Sequence, residues 1–216
     1  MPTRQRYMAE LETMNRDVIQ MSTLIEESIG KVMGALKTVD ADIAHKIIED
    51  DDVIDELERK IEAECISIIA KEQPVAKDLR RVTSIMRMIS DIERIADHCS
   101  DISEYIILLS KEEHIVMPDY VEEMLLKMKE MVVKTIDSFV NEDIEKAAYV
   151  KTSDDVVDDY FEKIMKELCI AMKHNPEAIK QYAYYLMIIK YIERMADHAT
   201  NMAEWNMFII TGDLER

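Results

Sequence analysis

The chain has 216 residues, 48% of them apolar, and carries 45 Asp and Glu against 27 Lys and Arg, a formal net charge of -18 at pH 7. Length and apolar content allow a sizeable core in one or two domains, whereas the charge repels a phosphodiester backbone and argues against nucleic acid as a partner. No apolar run approaches the roughly 20 residues that span a bilayer, and Met1 to Glu12 lacks the apolar region of a signal peptide, so a cytoplasmic protein is expected.

Only 3 Gly and 4 Pro interrupt a sequence rich in Met, Ile, Leu, Ala, Glu and Lys. These are good helix formers apart from the β-branched Ile, and they predict an all-α protein. From Met8 the apolar positions Leu11, Val18, Met21, Ile25, Val32 and Leu36 recur at threes, fours and sevens, which predicts a long first helix. Gly30 and Gly34 inside it form a small-xxx-small pair, expected to let another helix pack closely. Thr38 to Asp42 supplies cap residues before a second helix through Ile43, Ile47, Ile54, Leu57, Ile61, Cys65 and Ile68. Gln73-Pro74 ends it, because the residue before proline avoids the helical region. A third helix runs through Leu79, Val82, Met86, Ile89, Ile92, Ala96 and Cys99 to about Leu109.

Lys111 to Pro118 is polar, carries a proline and reads as a linker between residues 1–114 and 115–216. A fourth helix is predicted from about Pro118 to Val140, a fifth capped by Asn141 and reaching about Lys173, and a sixth opened by Asn175-Pro176-Glu177 and ending near Gly212. Short turns between long helices force antiparallel neighbours, so each half is expected to be a three-helix bundle. Cys65, Cys99 and Cys169 are odd in number, lack CxxC spacing and sit among apolar positions, which predicts reduced core thiols.

One stretch occurs twice. Ile92-Glu93-Arg94-Ile95-Ala96-Asp97-His98 returns as Ile192-Glu193-Arg194-Met195-Ala196-Asp197-His198, and Asp51-Asp52-Val53-Ile54-Asp55-Glu56 reads against Asp154-Asp155-Val156-Val157-Asp158-Asp159. The repetition makes the two bundles copies of each other, expected to be related by a pseudo-twofold axis. Each copy contains acids four apart, Asp51 with Asp55, Glu93 with Asp97, Asp154 with Asp158 and Glu193 with Asp197. On a helix such a pair stacks two carboxylates on one face.

At 1.5 Å rise per residue, both first-half pairs lie roughly 30 to 33 Å from the turn at Gln73-Pro74, and both second-half pairs roughly 28 to 31 Å from His174-Asn175. The pairs are therefore level, and helical angles set them on the rim of the apolar stripe. Four carboxylates can converge at one seam in each half. Acid pairs at this spacing also occur on solvated faces, at a cost of about 0.2 to 0.5 kcal/mol each. Four level pairs in two copies point instead to sites for a hard cation such as iron, manganese, magnesium or calcium. His98 and His198 point about 100° further round the helix and read as core-edge or solvated histidines, with a role behind the ligands as the alternative. Arg94 and Arg194 are expected to pair with nearby acids, and Glu104 and Glu204 to extend or solvate the acidic strip.

The combination of Asp51 to Glu58, Gln73-Pro74-Val75-Ala76 with Asp78-Leu79-Arg80, and Asp91 to His98 resembles the PhoU family, accessory regulators of bacterial phosphate-specific transport, over nearly the whole chain. The resemblance implies two three-helix bundles with multinuclear metal clusters on the repeated acidic motifs. Position by position, the implied ligands are Asp51, Asp55, Glu93 and Asp97, then Asp154, Asp158, Glu193 and Asp197, with iron, manganese, magnesium or zinc as the candidate ions. It also implies a non-enzymatic adaptor, suited to contacts with the transporter ATPase subunit and the phosphate sensor histidine kinase. A homodimer, negative control of phosphate uptake, and membrane association only through these partners complete the expectation. The sequence departs from the family in having Ala96 and Ala196 where Gly is usual, and in having no clean second copy of the Pro74 to Arg80 segment after Pro176. Two other functions remain as alternatives, a ferritin-like carboxylate metal protein and a histidine phosphotransfer module. The first wants Glu-x-x-His in the bundle core, and the second would bring a phosphoryl group among crowded acids.

Overall fold

A computed structural model describes residues 2–113 and 115–213. Six long α-helices carry the chain: α1 (Pro2–Thr38), α2 (Ala41–Glu72), α3 (Lys77–Leu109), α4 (Val121–Asn141), α5 (Ile144–His174) and α6 (Ile179–Thr211). Among the described residues there is no strand. Among its described residues the connection from α3 to α4 is non-helical, and the expected boundary at residue 114 lies outside the described residues.

Most helix ends follow from local chemistry. Asp40 caps α2, its Oδ1 accepting hydrogen bonds from the amides of Asp42 and Ile43 at 2.9 and 3.0 Å. Gln73, left-handed at φ 47°, ends α2 ahead of Pro74, and Gly212 at φ 87° closes α6. Three expectations need correction. The cap of α5 is Asp143, not Asn141: Asp143 Oδ1 accepts from the amides of Glu145 and Lys146 at 3.0 and 3.2 Å, while Asn141 donates back to the Asp137 carbonyl at 3.0 Å and belongs to α4. Pro176 opens a single 3-10 turn, and α6 begins only at Ile179. Helix α1 starts at Pro2, before the first apolar position that marked it.

Within each half all three helices pack together, and between the halves close backbone approach is confined to α3 with α6 and α1 with α4. Two of the three helices of each half therefore meet their own counterparts in the other copy, the pattern a twofold relation produces. Helices α3 and α6 run antiparallel and form the most extensive helix contact. Tyr105, late in α3, lies by Tyr184 and Tyr191, early in α6, while Arg80, early in α3, lies over Phe208, late in α6. His98 and His198 meet midway with ring centroids 5.7 Å apart, so the pseudo-twofold passes beside them. One continuous apolar core runs through both halves. Ion pairs flank the join, Lys37 with Glu122 at 2.7 Å and Arg81 with Glu142 at 2.6 Å.

Two further expectations fail. Cys65 and Cys99 are buried but Cys169 is exposed; it lies beside exposed Ile170 on the outward face of α5. Burial pushes the Cys65 thiol up to about 12, and it donates to Met14 Sδ at 3.3 Å. Gly30 and Gly34 mediate no close helix approach: a Cβ at Gly30 would find its nearest neighbour 3.8 Å away, the Lys129 ammonium, and one at Gly34 would find nothing within 4 Å. Gly34→Ala is thus expected to stabilise the protein by about 0.5 to 1 kcal/mol, through helix propensity alone. Urea denaturation checks this, and a loss of stability would show that another surface covers the position.

Candidate metal centres

The acid pairs owe their position to the residues beside them. On α2, Ile47 and Ile54 are buried against the core, and on α3 Ile89, Ile92 and Ala96 are buried likewise. The neighbouring Asp51, Asp55, Glu93 and Asp97 are left half-buried along the seam between the two helices. Asp51 accepts a hydrogen bond from Ser100 of α3 at 3.0 Å, which fixes the helices level at this height. The second half repeats the arrangement on α5 and α6, where Ile192 and Ala196 are buried, Asp154 and Glu193 are half-buried, and Asp158 and Asp197 are exposed.

The charges feel one another. Burial, then the negative charges of Asp97 and Asp55, outweigh the Ser100 hydrogen bond and raise the Asp51 pKa. Glu93 is raised by burial and next by Asp97. In the second half Asp154 is pushed up to about 6, by burial first and then by Asp197 and Asp158. Burial and Asp197 also raise Asp158, and burial, Asp197 and Asp158 raise Glu193. Thr200 stands where Ser100 stands, but its buried hydroxyl makes no complete hydrogen bond and offsets the Asp154 shift only in part. The structure thus brings together all eight predicted residues as two electrostatically coupled groups of four.

Their side chains do not form ready-made cages. Among the described residues, no three His, Cys, Asp or Glu side chains are gathered closely enough to hold an ion as they stand. In the first half the carboxylates are held by arginines instead: Arg94 donates to Asp97 at 2.9 Å and lies 3.5 Å from Glu93, while Arg59 lies 3.6 Å from Asp55. The donor set nevertheless fits a hard cation: oxygen only, contributed by two helices, partly shielded from water and mutually repelling.

The surroundings differ from several expectations. His98 and His198 face the join of the halves, His98 Nδ1 lying 3.1 Å from Asp101 and His198 Nδ1 2.9 Å from Asp91. Burial lowers the His98 pKa against the pull of Asp101. Arg94 pairs as expected, but among the described residues Arg194 forms no ion pair. Glu204 is drawn into an ion pair with Lys151 at 3.2 Å, and Glu104 is exposed. Sequence reasoning missed Glu58, whose raised pKa stems from burial, Glu62 and Asp55. Its signal was available, because Glu58 falls seven residues after Asp51 and so returns to nearly the same face.

Two separate segments, residues 18–106 and 121–205, match the model of the PhoU domain. The chain belongs to the PhoU family. A PhoU homolog from Clostridium acetobutylicum, named a phosphate-specific transport system accessory protein, is 34% identical over 97% of this chain and 96% of its own length. The corresponding PhoU homolog of Aquifex aeolicus is 36% identical over 86% and 84%. The crystal structure of PhoU from Pseudomonas aeruginosa superposes with a TM-score of 0.92 at 32% identity, covering 96% of this chain and all of that one. These matches agree with the all-α, six-helix architecture.

The Asp154 shift has a testable consequence. A carboxyl whose pKa rises on folding, here from 3.8 to about 6, favours the folded state while protonated and loses that advantage as pH climbs through the folded value. Metal-free protein is therefore expected to lose stability between about pH 4 and pH 7. Asp154→Asn should restore on the order of 1 kcal/mol at about pH 7.5, allowing for solvent screening, and almost nothing at about pH 4. Urea denaturation in chelator at the two pH values checks this, and an equal effect at both would contradict it.

Proposed function

We propose that this chain is the accessory protein of a phosphate-specific transport system, a non-enzymatic cytoplasmic adaptor that restrains phosphate uptake and phosphate-starvation signalling. In this reading it contacts the transporter's ATPase subunit and the sensor histidine kinase, works as a homodimer, and reaches the membrane only through its partners. The observation that carries the reading is the full-length likeness to relatives bearing the accessory-protein name. Among the described residues no helix is long and apolar enough to cross a membrane. Surface for partners is available on the outward helices, where Val53, Ile66, Val156 and Ile170 are 40 to 58% exposed.

We further propose that cations, with iron, manganese, magnesium and zinc as candidates, sit on Asp51, Asp55, Glu93 and Asp97 and on Asp154, Asp158, Glu193 and Asp197. A bound cation would neutralise the mutual repulsion of each group and tie α2 to α3, or α5 to α6. The half-buried, coupled carboxylates support this assignment. The ferritin-like alternative gains little, because the acids rim the helix seams and both histidines are engaged at the join of the halves. Histidine phosphotransfer gains no more, since the His98 side chain is only 13% exposed.

Two measurements test the reading. Deleting the gene should switch the phosphate-starvation response on in high phosphate, and the purified protein should capture the transporter ATPase or the kinase; normal repression together with no capture would refute the adaptor. Separately, Asp51→Ala with Glu93→Ala should remove roughly half of the metal measured on purified protein, one of two equivalent donor sets being lost. Unchanged metal content would refute the ligand assignment.

A further inference from the structure

The two acidic seams are copies in their carboxylates but not in their cations. In the first half the Arg94 guanidinium bridges both ligands of α3, with Nη1 2.9 Å from Asp97 Oδ2 and Nε 3.5 Å from Glu93 Oε2. Arg59 sits on the α2 side, Nη2 3.6 Å from Asp55 Oδ2. Three of the four oxygen donors of that seam are therefore already in contact with a permanent cation. A guanidinium stays charged throughout the working pH range and presents its N–H donors to the oxygens a metal ion would need.

The second half lacks this guard. Arg194 occupies the position of Arg94, yet among the described residues it forms no ion pair. Asp40 and Asp143, the equivalent caps of α2 and α5, are 103 residues apart, as are Asp51 and Asp154, so the counterpart of Arg59 is Glu162. An acid thus replaces a base beside the second seam. Glu162 has its own partner, Lys166 at 3.2 Å, and among the described residues the four carboxylates form no ion pair, the Arg194 charge acting on Glu193 only from a distance. Asp158 and Asp197 are also exposed where Asp55 and Asp97 are half-buried.

Resting on the reading that cations sit on these carboxylates, we propose that the two sites fill in order, the second-half site first and more tightly, the first-half site only when Arg94 and Arg59 are displaced. The arginines then act as specificity-determining residues: they hold the first site closed to a weakly bound or dilute ion and open it when the ion is abundant. The chain would carry one standing cation site and one that responds to concentration.

The experiment titrates Mn²⁺ into chelator-stripped full-length protein and follows free Mn²⁺ by electron paramagnetic resonance. Wild type should show a tight and a weak class. Asp154→Asn with Asp158→Asn should abolish the tight class, and Asp51→Asn with Asp55→Asn the weak one. Arg94→Gln with Arg59→Gln should tighten the weak class by between about tenfold and hundredfold, the effect of removing two unit charges roughly 6 Å from a divalent ion in water with and without salt screening. Glu162→Arg should weaken the tight class. Both arginines are well exposed, at 58 and 67%, so their substitution spares the fold, and circular dichroism verifies that. Equal affinities in wild type, or a weak class that ignores the arginine substitutions, would overturn the ordering while leaving cation binding intact. Failure of both seams to take up Mn²⁺ would overturn the ordering and the underlying assignment together.

Discussion

Like charges held face to face by helix packing are the constraint on which this molecule turns. The apolar stripes of α2 and α3, and of α5 and α6, must meet for the core to close, and the acids that rim those stripes are carried into each other's fields as a result. Ile54 and Ile92 are 2% and 0% exposed, so the helices cannot roll to separate Asp51 and Asp55 from Glu93 and Asp97 without opening the core. Burying a large aliphatic side chain contributes about 1.5 to 3 kcal/mol, whereas repulsion between partly solvated carboxylates is weaker. Packing prevails, and burial, with the residual repulsion added to it, raises the carboxyl pKa values.

The two halves resolve that conflict differently. Arg94, Arg59 and the Ser100 hydroxyl offset part of the charge in the first, while the second meets it with exposure of Asp158 and Asp197 and a partly protonated Asp154. The join between the halves departs from symmetry in the same manner. Beside the pseudo-twofold, His198 meets Asp91 at 2.9 Å, and His98 meets Tyr191, the counterpart of Asp91, with ring centroids 5.3 Å apart. A duplicated backbone has thus been furnished with unlike contacts at both its acidic seams and its central contact.

Much of this was legible in the sequence because it depends on period and spacing. Six helices, their order, and the levelness of the acid pairs follow from residue counts along rods of fixed rise. What escaped depends on contacts between distant segments. Whether Asn141 or Asp143 caps α5 turns on which side chain reaches the two free amides, and both are good caps by type. Gly30 and Gly34 suggest close packing only if a partner helix arrives on that face, and among the described residues only the Lys129 ammonium of α4 comes near Gly30 while nothing comes near Gly34. Cys169 sits between apolar Leu168 and Ile170 yet lies on an outward face of α5, and the histidines face the other half because α3 packs antiparallel to α6, a pairing no local pattern specifies. Arg94 and Arg194 each follow an Ile-Glu pair and precede an Ala-Asp-His run one residue on, so their different ion pairing is set by what surrounds them in the fold.

The central claim is that these eight carboxylates are cation ligands. Diffraction from a crystal grown with Mn²⁺, recorded on both sides of the manganese absorption edge, tests it most directly. The account expects anomalous peaks at the seam of α2 with α3 and at the seam of α5 with α6, each in contact with oxygens of the four named acids. Anomalous peaks only at other surface carboxylates, or none at either seam, would contradict it.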